Sequence, residues 1–414
     1  MRRIAIVGAG QAGLQLALGL RAADYDVTVF SARKAAEIRT GRVMSSQLMY
    51  GPALALERRA GLNLWDAATP PIGGLQLTLV DPPGVRSVTI SSALDEPAQS
   101  VDQRLKTAHW LELLEERGGR VEYRPVAADE LAATASAYDL TLVATGHGPL
   151  AEVFGRDERH SPYDSPQRAL ACLYLHGVMP DTRQPPGYAR VCAVPGTGEY
   201  FLLPALTVSG PCDIMLWEGH PGGPFDCWSD GPDPGAALAR SLELLRSYAP
   251  WEYELCAAAQ PTDARAVLTG GLTPVVRHPV AEVAPGSYVL GMSDAVVLND
   301  PVTGQGSNNA ARCAARYLDA IVERGERPFD RAWMHETFAV WWEHARHGTA
   351  FTNMVLGPHP EHFQRVLAAA SEHPGIAHRY VNGYADPADY QDWLMDADRA
   401  EACLAAVAGR PAKG

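Results

Sequence analysis

The sequence predicts an α/β fold in two interleaved lobes, one on a parallel sheet and one on a mainly antiparallel sheet, with a helical C-terminal region. Three observations carry this. An apolar run, Ile4-Ala5-Ile6-Val7, passes through Gly8-x-Gly10-x-x-Gly13 into the helical stretch QAGLQLALGLRA at 11–22. A second glycine-rich stretch, Asp300-Pro301-Val302-Thr303-Gly304-Gln305-Gly306, enters another helix. Between them, residues 161–285 repeat short β-like runs (RALACLYLHG, GEYFLLPAL, CDIMLWEG) separated by Pro- and Gly-rich turns.

The opening unit is the most specific. IAIVG reads as a strand, 11–22 as its helix, and DVTVF (26–30) as a second strand with Val27 and Val29 alternating. In such a βαβ unit Gly8 makes the tight turn and Gly10 lets backbone approach a pyrophosphate. Gly13 lets the helix pack close to the sheet, and the amides near Gln11 and Ala12 face the ligand's charge. An acidic residue usually ends the second strand and grips the adenosine ribose. Here the chain reads Phe30-Ser31-Ala32-Arg33-Lys34, with no carboxylate before Glu37, so Ser31 and Arg33 are the candidates for ribose or phosphate.

The polar stretch Thr40–Gln47 then precedes a helical run from Pro52. Strand-like alternation returns in GLQLTLVD (74–81) and VRSVTIS (85–91). Asp102 opens a helix that runs to about Glu116 and stops at Gly118-Gly119. VEYRPV reads as a strand ending at Val126, a cofactor-binding candidate, and YDLTLVATGHG (138–148) as a strand that returns to the adenine side. SYVLGM leads to Asp294, and from about 330 the pattern is helical and rich in Trp (Trp333, Trp341, Trp342, Trp393), which reads as packing. The expected organisation is a nucleotide lobe at 1–160 with an insertion at about 41–100, a substrate lobe at 161–285, a return to the nucleotide lobe at 286–330, and helices over 331–414. The final Arg410-Pro411-Ala412-Lys413-Gly414 is expected to fray.

Composition narrows the function. A formal net charge of -13 argues against nucleic acid and anionic membrane surfaces. No apolar run reaches the roughly 18–20 residues of a membrane span. The first strand starts at Arg3 or Ile4, leaving no room for a signal peptide, so a cytoplasmic location is expected. Seven dispersed cysteines without a C-x-x-C pair read as reduced thiols, not as a metal site or a disulfide framework. His359 and His362 read as surface or capping residues, and no metal site is expected.

The second glycine loop decides the class. Backbone N–H groups gathered where Gly304, Gln305, Gly306, Ser307 and Asn308 enter a helix suit a ribityl chain, a phosphate or the carbonyl edge of an isoalloxazine ring. A helix cap alone needs one glycine, not two around a Gln. Both loops in one chain point to FAD, held by a Rossmann-like domain of the GR2 type.

At this point the chain resembles the flavoprotein monooxygenases of the para-hydroxybenzoate hydroxylase fold, and among them the styrene and indole monooxygenases. The resemblance rests on VGAGQAGLQLALGLR, Arg42 after Gly41, VDQRL (101–105), SPYDSPQRAL (161–170), SDAVVLNDPVTGQGSNNAA (293–311) and TAFTN (349–353). It implies Gly8, Gly10, Gly13, Arg104, Asp294, Gly304, Gln305 and Gly306 around FAD, with Arg42 to Ser46 and Pro301 beside the ring. Where the family carries Leu-Leu-Asn after this Arg, the chain has Val43-Met44-Ser45. The tyrosine-rich strand of styrene epoxidases reads Leu75-Gln76-Leu77-Thr78-Leu79 here.

The resemblance implies a reaction in which reduced FAD and O₂ form a C4a-(hydro)peroxide that delivers oxygen to an apolar aromatic or alkene substrate. That chemistry needs no general base, and no catalytic His or Cys stands out. Ser45 and Ser46 either hydrogen-bond near the reacting oxygen or cap the following helix. Arg104 reaches FAD or forms a surface salt bridge, and Asp294 binds a ribityl hydroxyl or caps a turn. Met44, Gln47, Leu75, Leu77, Leu79, Phe201, Leu203 and Leu216 are pocket candidates, with Glu218 and His220 at the rim. No second phosphate loop is evident, so a separate NAD(P)H:flavin reductase is the expected electron source. A single-component NAD(P)H-dependent aromatic hydroxylase is the alternative, and a non-catalytic FAD-fold binding protein is the remote one. The W-x-W-x-I-P stretch of flavin halogenases is absent. A homodimer is an open expectation.

Overall fold

A computed structural model describes residues 2–408 of the chain; the stretch from Arg410 onward lies outside the described residues. Arg3–Val7 sits inside a six-stranded sheet. Asp26–Ser31 and Arg120–Tyr123 lie to one side of it, and Leu140–Val143, Ser287–Gly291 and Val280–Ala284 to the other. All pairs are parallel except the outermost, Val280–Ala284 with Ser287–Gly291. Ile4 to Val7 are buried on both faces, as a parallel sheet covered by helices requires.

The helix Gln11–Ala22 is apolar nearly all round, with Leu14, Leu16, Leu18 and Leu20 buried. It therefore packs on more than the sheet, meeting Gln103–Glu116 and Gly306–Arg324. Asp102 caps Gln103–Glu116 by accepting from the Arg104 N–H. The parallel strands 3–7, 140–143 and 287–291 end side by side. The Gly8 turn, Ala144-Thr145 and Met292–Asp294 consequently meet at one carboxyl edge, where open α/β sheets bind their ligands.

The second sheet has eight strands. Gln260–Pro261, Ala169–His176, Gly210–Gly219, Gly198–Thr207, Tyr188–Val194, Ile72–Val80 and Arg86–Ala98 follow in spatial order, with Val267–Gly270 also paired to Ala169–His176. It is antiparallel except where Ile72–Val80 runs parallel to Tyr188–Val194. Alternation splits its faces. Val80, Cys192, Tyr200, Leu202 and Trp217 pack with residues of the helices Pro234–Tyr248 and Pro250–Cys256. Leu75, Leu203 and Leu216 turn instead toward the C-terminal helices.

The reading of 161–285 as strands and turns overlooked those two helices. Asp233 accepts from the Ala236 N–H with Pro234 next to it, and Ala237, Leu238, Ser241 and Leu245 are buried at helical spacing. The insertion expected at about 41–100 supplies two strands of the second sheet. Arg331–Leu356, Glu361–Glu372, Pro374–Gly383 and Ala397–Ala408 complete the fold. Trp333, Trp341 and Trp393 are buried packing residues. Among the described residues, no helix is long and apolar enough to cross a membrane, and no His, Cys, Asp and Glu cluster suits a metal.

Candidate active site

The two glycine loops meet. Gln11 Nε2 donates to the Ser307 carbonyl at 3.1 Å, and Gln15 Nε2 to the Ala311 carbonyl at 3.2 Å. Gln103 Nε2 in turn donates to Gln11 Oε1 at 2.9 Å. The starts of Gln11–Ala22 and Gly306–Arg324 therefore border one crevice.

Neither helix has a side-chain N-cap or an acid in its first turn. The first bonds inside them are Leu14 N–H to Gly10 O and Asn309 N–H to Gln305 O. The amides of Gln11, Ala12 and Gly13, and of Gly306, Ser307 and Asn308, are thus the natural donors to an anion or a carbonyl edge.

The glycines of the first loop divide by role. Gly8 has φ +119°, and a Cβ there would lie 2.4 Å from the Ala144 carbonyl oxygen. A Cβ on Gly13 would lie 2.3 Å from Gly8 O. At Gly10 the nearest atom would be 4.0 Å away, so that position faces open space and its missing side chain leaves room for a ligand. The donor set and the open cradle fit the pyrophosphate and ring edge of FAD.

In the second loop the expected amide donor at Gly304 is already engaged, donating to Pro301 O at 2.8 Å. Gln305 turns its side chain away, to Thr303 O (3.1 Å) and Tyr384 O (3.0 Å). Asn308 accepts from the Tyr50 N–H at 2.9 Å and donates to Leu48 O and Gly304 O, both at 2.8 Å. Its side chain therefore fixes the loop while its backbone faces the crevice. Beneath lies a buried pair, Lys106 Nζ to Glu57 Oε1 at 2.8 Å, beside Met49 and Gln11. Burial pushes the Glu57 carboxyl up and Lys106 opposes the shift. Asp294, in the short turn Ser293–Ala295, is partly exposed at the sheet edge, and desolvation pushes its carboxyl up to about 6.

Several expected positions fall elsewhere. Arg104 is neither on the surface nor free to reach a cofactor. Only 2% exposed, it donates to Asp102 (2.9 Å), Asp263 (3.0 Å), the Gly41 carbonyl (3.2 Å) and Thr207 (3.1 Å). It ties the helix Gln103–Glu116 to the eight-stranded sheet. Gln47 is buried against Tyr174 (2.9 Å) and Ser100 (3.3 Å) and does not line the cavity described below, although Ser46 and Leu48 on either side of it do. Met44 packs on the nucleotide-lobe core, its Sδ 3.1 Å from the exposed Arg33. Ser31 closes its own turn, donating to Arg33 O at 2.6 Å. Val126 lies beyond the strand Arg120–Tyr123, half-buried on the nucleotide core. Arg42 is exposed in a cleft with Pro232, Asp233, Pro234 and Arg265. Ser45 Oγ donates to Gln47 Oε1 at 2.6 Å. Tyr50, not Ser45 or Ser46, is the cap residue of the helix Gly51–Arg59.

Pro301 and Ser46 line a cavity of about 100 Å³ that opens to solvent. Its floor is the sheet face carrying Leu75, Leu77, Leu79, Phe201, Leu203 and Leu216. Its roof comes from Val355, Phe363, Leu367, Tyr380, Val381 and Tyr384 of the C-terminal region. That roof was not foreseen, because helical periodicity does not say which distant sheet a helix covers. His359 also lines the cavity, against Phe363, and its Nε2 lies 3.2 Å from Val355 O at a helix end; it both caps and lines. His362 Nε2 lies 3.1 Å from Leu394 O.

Glu218, expected at the rim, is 0% exposed, whereas His220 is partly buried. Burial and the neighbouring Asp300 push the Glu218 carboxyl well up, and burial raises Asp300 to about 6. Beside them Arg168 grips both oxygens of Glu199, at 2.7 and 2.9 Å.

The family model "Styrene monooxygenase A putative substrate binding domain" matches residues 146–254. Styrene monooxygenase StyA of a Pseudomonas species is 32% identical over 96% of this chain and 96% of its own. StyA of Pseudomonas fluorescens is 31% identical over 76% of this chain and 75% of its own. Among solved structures, the flavin-dependent brominase Bmp2 superposes with a TM-score of 0.66 at 12% identity, covering 99% of this chain and 100% of that one. 2-Methyl-3-hydroxypyridine-5-carboxylic acid oxygenase gives 0.57 at 14% identity, covering 91% of each. These two distant structures share the fold. On its relationship to the StyA proteins, the chain belongs to the styrene monooxygenase family, and it is an FAD-dependent monooxygenase.

Proposed function

We propose that the chain oxygenates an apolar aromatic or alkene substrate of the styrene or indole type, using FAD reduced by a separate NAD(P)H:flavin reductase. The observation that supports this best is the leucine-lined cavity bounded by Pro301 and Gly304 of the second glycine loop, which sets an apolar chamber against the crevice where FAD fits. The amides of Gln11, Ala12 and Gly13 would hold the pyrophosphate, and those of Gly306, Ser307 and Asn308 the carbonyl edge of the ring. Asp294 would accept from a ribityl hydroxyl. Bound and reduced, FAD supplies the electrons that activate O₂.

The chain's own part is to bind, orient and exclude water. Leu77, Leu203 and Leu216 desolvate the substrate, while Pro301 presses it toward the ring side. Ser46 lines the same cavity as Pro301 and is assigned to the reacting oxygen. Ser45, held by Gln47, positions the segment. Five buried, unbridged cysteines, Cys172, Cys192, Cys212, Cys256 and Cys313, suit a cytoplasmic enzyme with reduced thiols.

The test mixes purified protein and chemically reduced FAD with O₂ and a panel of styrene, indole and a thioether. Epoxide, pigment from indole and sulfoxide are the expected products. With FAD and NADH but no reductase, NADH should persist. Rapid NADH oxidation by the protein alone would establish the single-component reading instead, and no product from any panel member would reject the substrate class.

A further inference from the structure

One end of the substrate sheet carries three acids and a single arginine on the cavity side. Glu199 and Glu218 are cross-strand partners, Arg168 immediately precedes the next strand, and Asp300 arrives from the second glycine loop. Arg168 is engaged through all three nitrogens: its fork holds both Glu199 oxygens, and the remaining nitrogen donates to Gln167 O at 3.0 Å. Glu218 is 0% exposed and Asp300 1%. Neither Glu218 oxygen has a donor, nor does Asp300 Oδ2, while Asp300 Oδ1 accepts from the Val302 N–H at 3.1 Å. The two carboxyls lie within hydrogen-bonding reach of each other.

Three orphaned carboxyl oxygens at one buried point need an explanation. The cation beside the pair among the described residues, Arg168, lowers both carboxyls but is already paired with Glu199, so two adjacent buried charges are not tenable, and a proton on one acid satisfies both. The other titratable groups facing the pair supply no charge to offset it. Burial and Arg168 hold His220 toward its neutral form, and the Tyr163 phenol donates to Asn353 O at 2.9 Å. His359 is turned to Val355 O.

We propose that Glu218 is a positioning residue: carrying a proton, it donates a hydrogen bond to Asp300, and Asp300, capping the turn Pro301–Thr303, thereby holds Pro301 and the glycine loop at the cavity wall. Loss of the proton sets two charges side by side under that turn and loosens the loop that leads to Gly306. The carboxyls are raised, so the folded state keeps a proton that the unfolded chain releases. Their contribution is complete at acid pH and is lost as pH rises through the folded value. The effect on flavin rests on the proposed placement of the ring at Gly306; the shared proton does not.

The experiment uses the full chain with and without FAD, as wild type, Glu218→Gln and Asp300→Asn. Infrared spectra in H₂O and D₂O at about pH 7 should show a protonated carboxyl band in the wild type that is lost in Glu218→Gln and displaced in Asp300→Asn. The wild-type FAD dissociation constant should rise about tenfold between about pH 6 and about pH 9, and that of Glu218→Gln, whose amide donates without titrating, should stay flat. Absence of a band sensitive to either substitution, or a Glu218→Gln profile that follows the wild type, overturns the proposal. A wild type that binds no FAD would defeat the functional reading alone, since the band still decides the proton.

Discussion

The crevice proposed for FAD and the cavity proposed for the substrate are built from different materials. The crevice is made of backbone: amides at two helix starts, exposed by glycines whose side chains would collide with Ala144 or Gly8, or would fill the ligand's space at Gly10. The cavity is made of side chains from four strands, three helices and several connecting segments, most of them far apart in sequence. A backbone site needs a short local pattern, because any side chain except glycine spoils it. A side-chain site needs only volume and apolarity, and many residue combinations supply those. The contrast teaches why this chain's cofactor motifs are legible while its pocket strand reads Leu75-Gln76-Leu77 where the resemblance leads one to expect tyrosines.

The largest expected effect tests the seam between the two regions. Arg104→Met leaves Asp102 buried without its partner and should cost about 3–5 kcal/mol of stability in urea unfolding, with FAD affinity of the remaining folded protein nearly unchanged. The reverse, intact stability with lost FAD binding, would return Arg104 to the crevice and blur the contrast. Next, Gly10→Val should fold with a near wild-type urea midpoint, since no protein atom opposes its Cβ, yet lose about 100-fold in FAD affinity, or about 2.7 kcal/mol, by fluorescence titration. Retained binding there would show that the cradle is not the ligand's. The smallest effect belongs to the cavity. Leu216→Trp should raise KM for a styrene-type substrate about tenfold, equivalent to about 1.4 kcal/mol, and leave FAD binding alone. A change in FAD affinity instead would mean that the regions are not separable.

Much of the fold was readable because parallel strands and their helices are locally consistent: an apolar run, a glycine turn, then helical spacing. The meeting of the Gly8 and Gly306 loops followed from that pattern, and Gln11 reaching Ser307 is its geometric form. Other assignments failed because polarity in sequence does not reveal burial. Arg104, Gln47 and Glu218 read as ligand, pocket or rim residues, yet all three are enclosed by partners or orphaned inside. Met44 looked like a pocket residue by apolarity alone and packs on the other lobe. The helix Pro234–Tyr248 was hidden by the Pro and Gly that surround it.

By itself the sequence determined what chain-local physics can encode: the βαβ start, the two places where helix amides lie bare, the apolar alternation of the second sheet, and through them a flavin site, with the oxygenase class coming from the family resemblance. Only the tertiary structure decided which helices roof the cavity, that Arg104 binds the lobes together, and that Glu218 meets Asp300. Those outcomes depend on contacts between residues more than a hundred positions apart, or brought together across sheet edges. Such contacts are selected by packing and charge balance in three dimensions and leave no spacing in the chain to read.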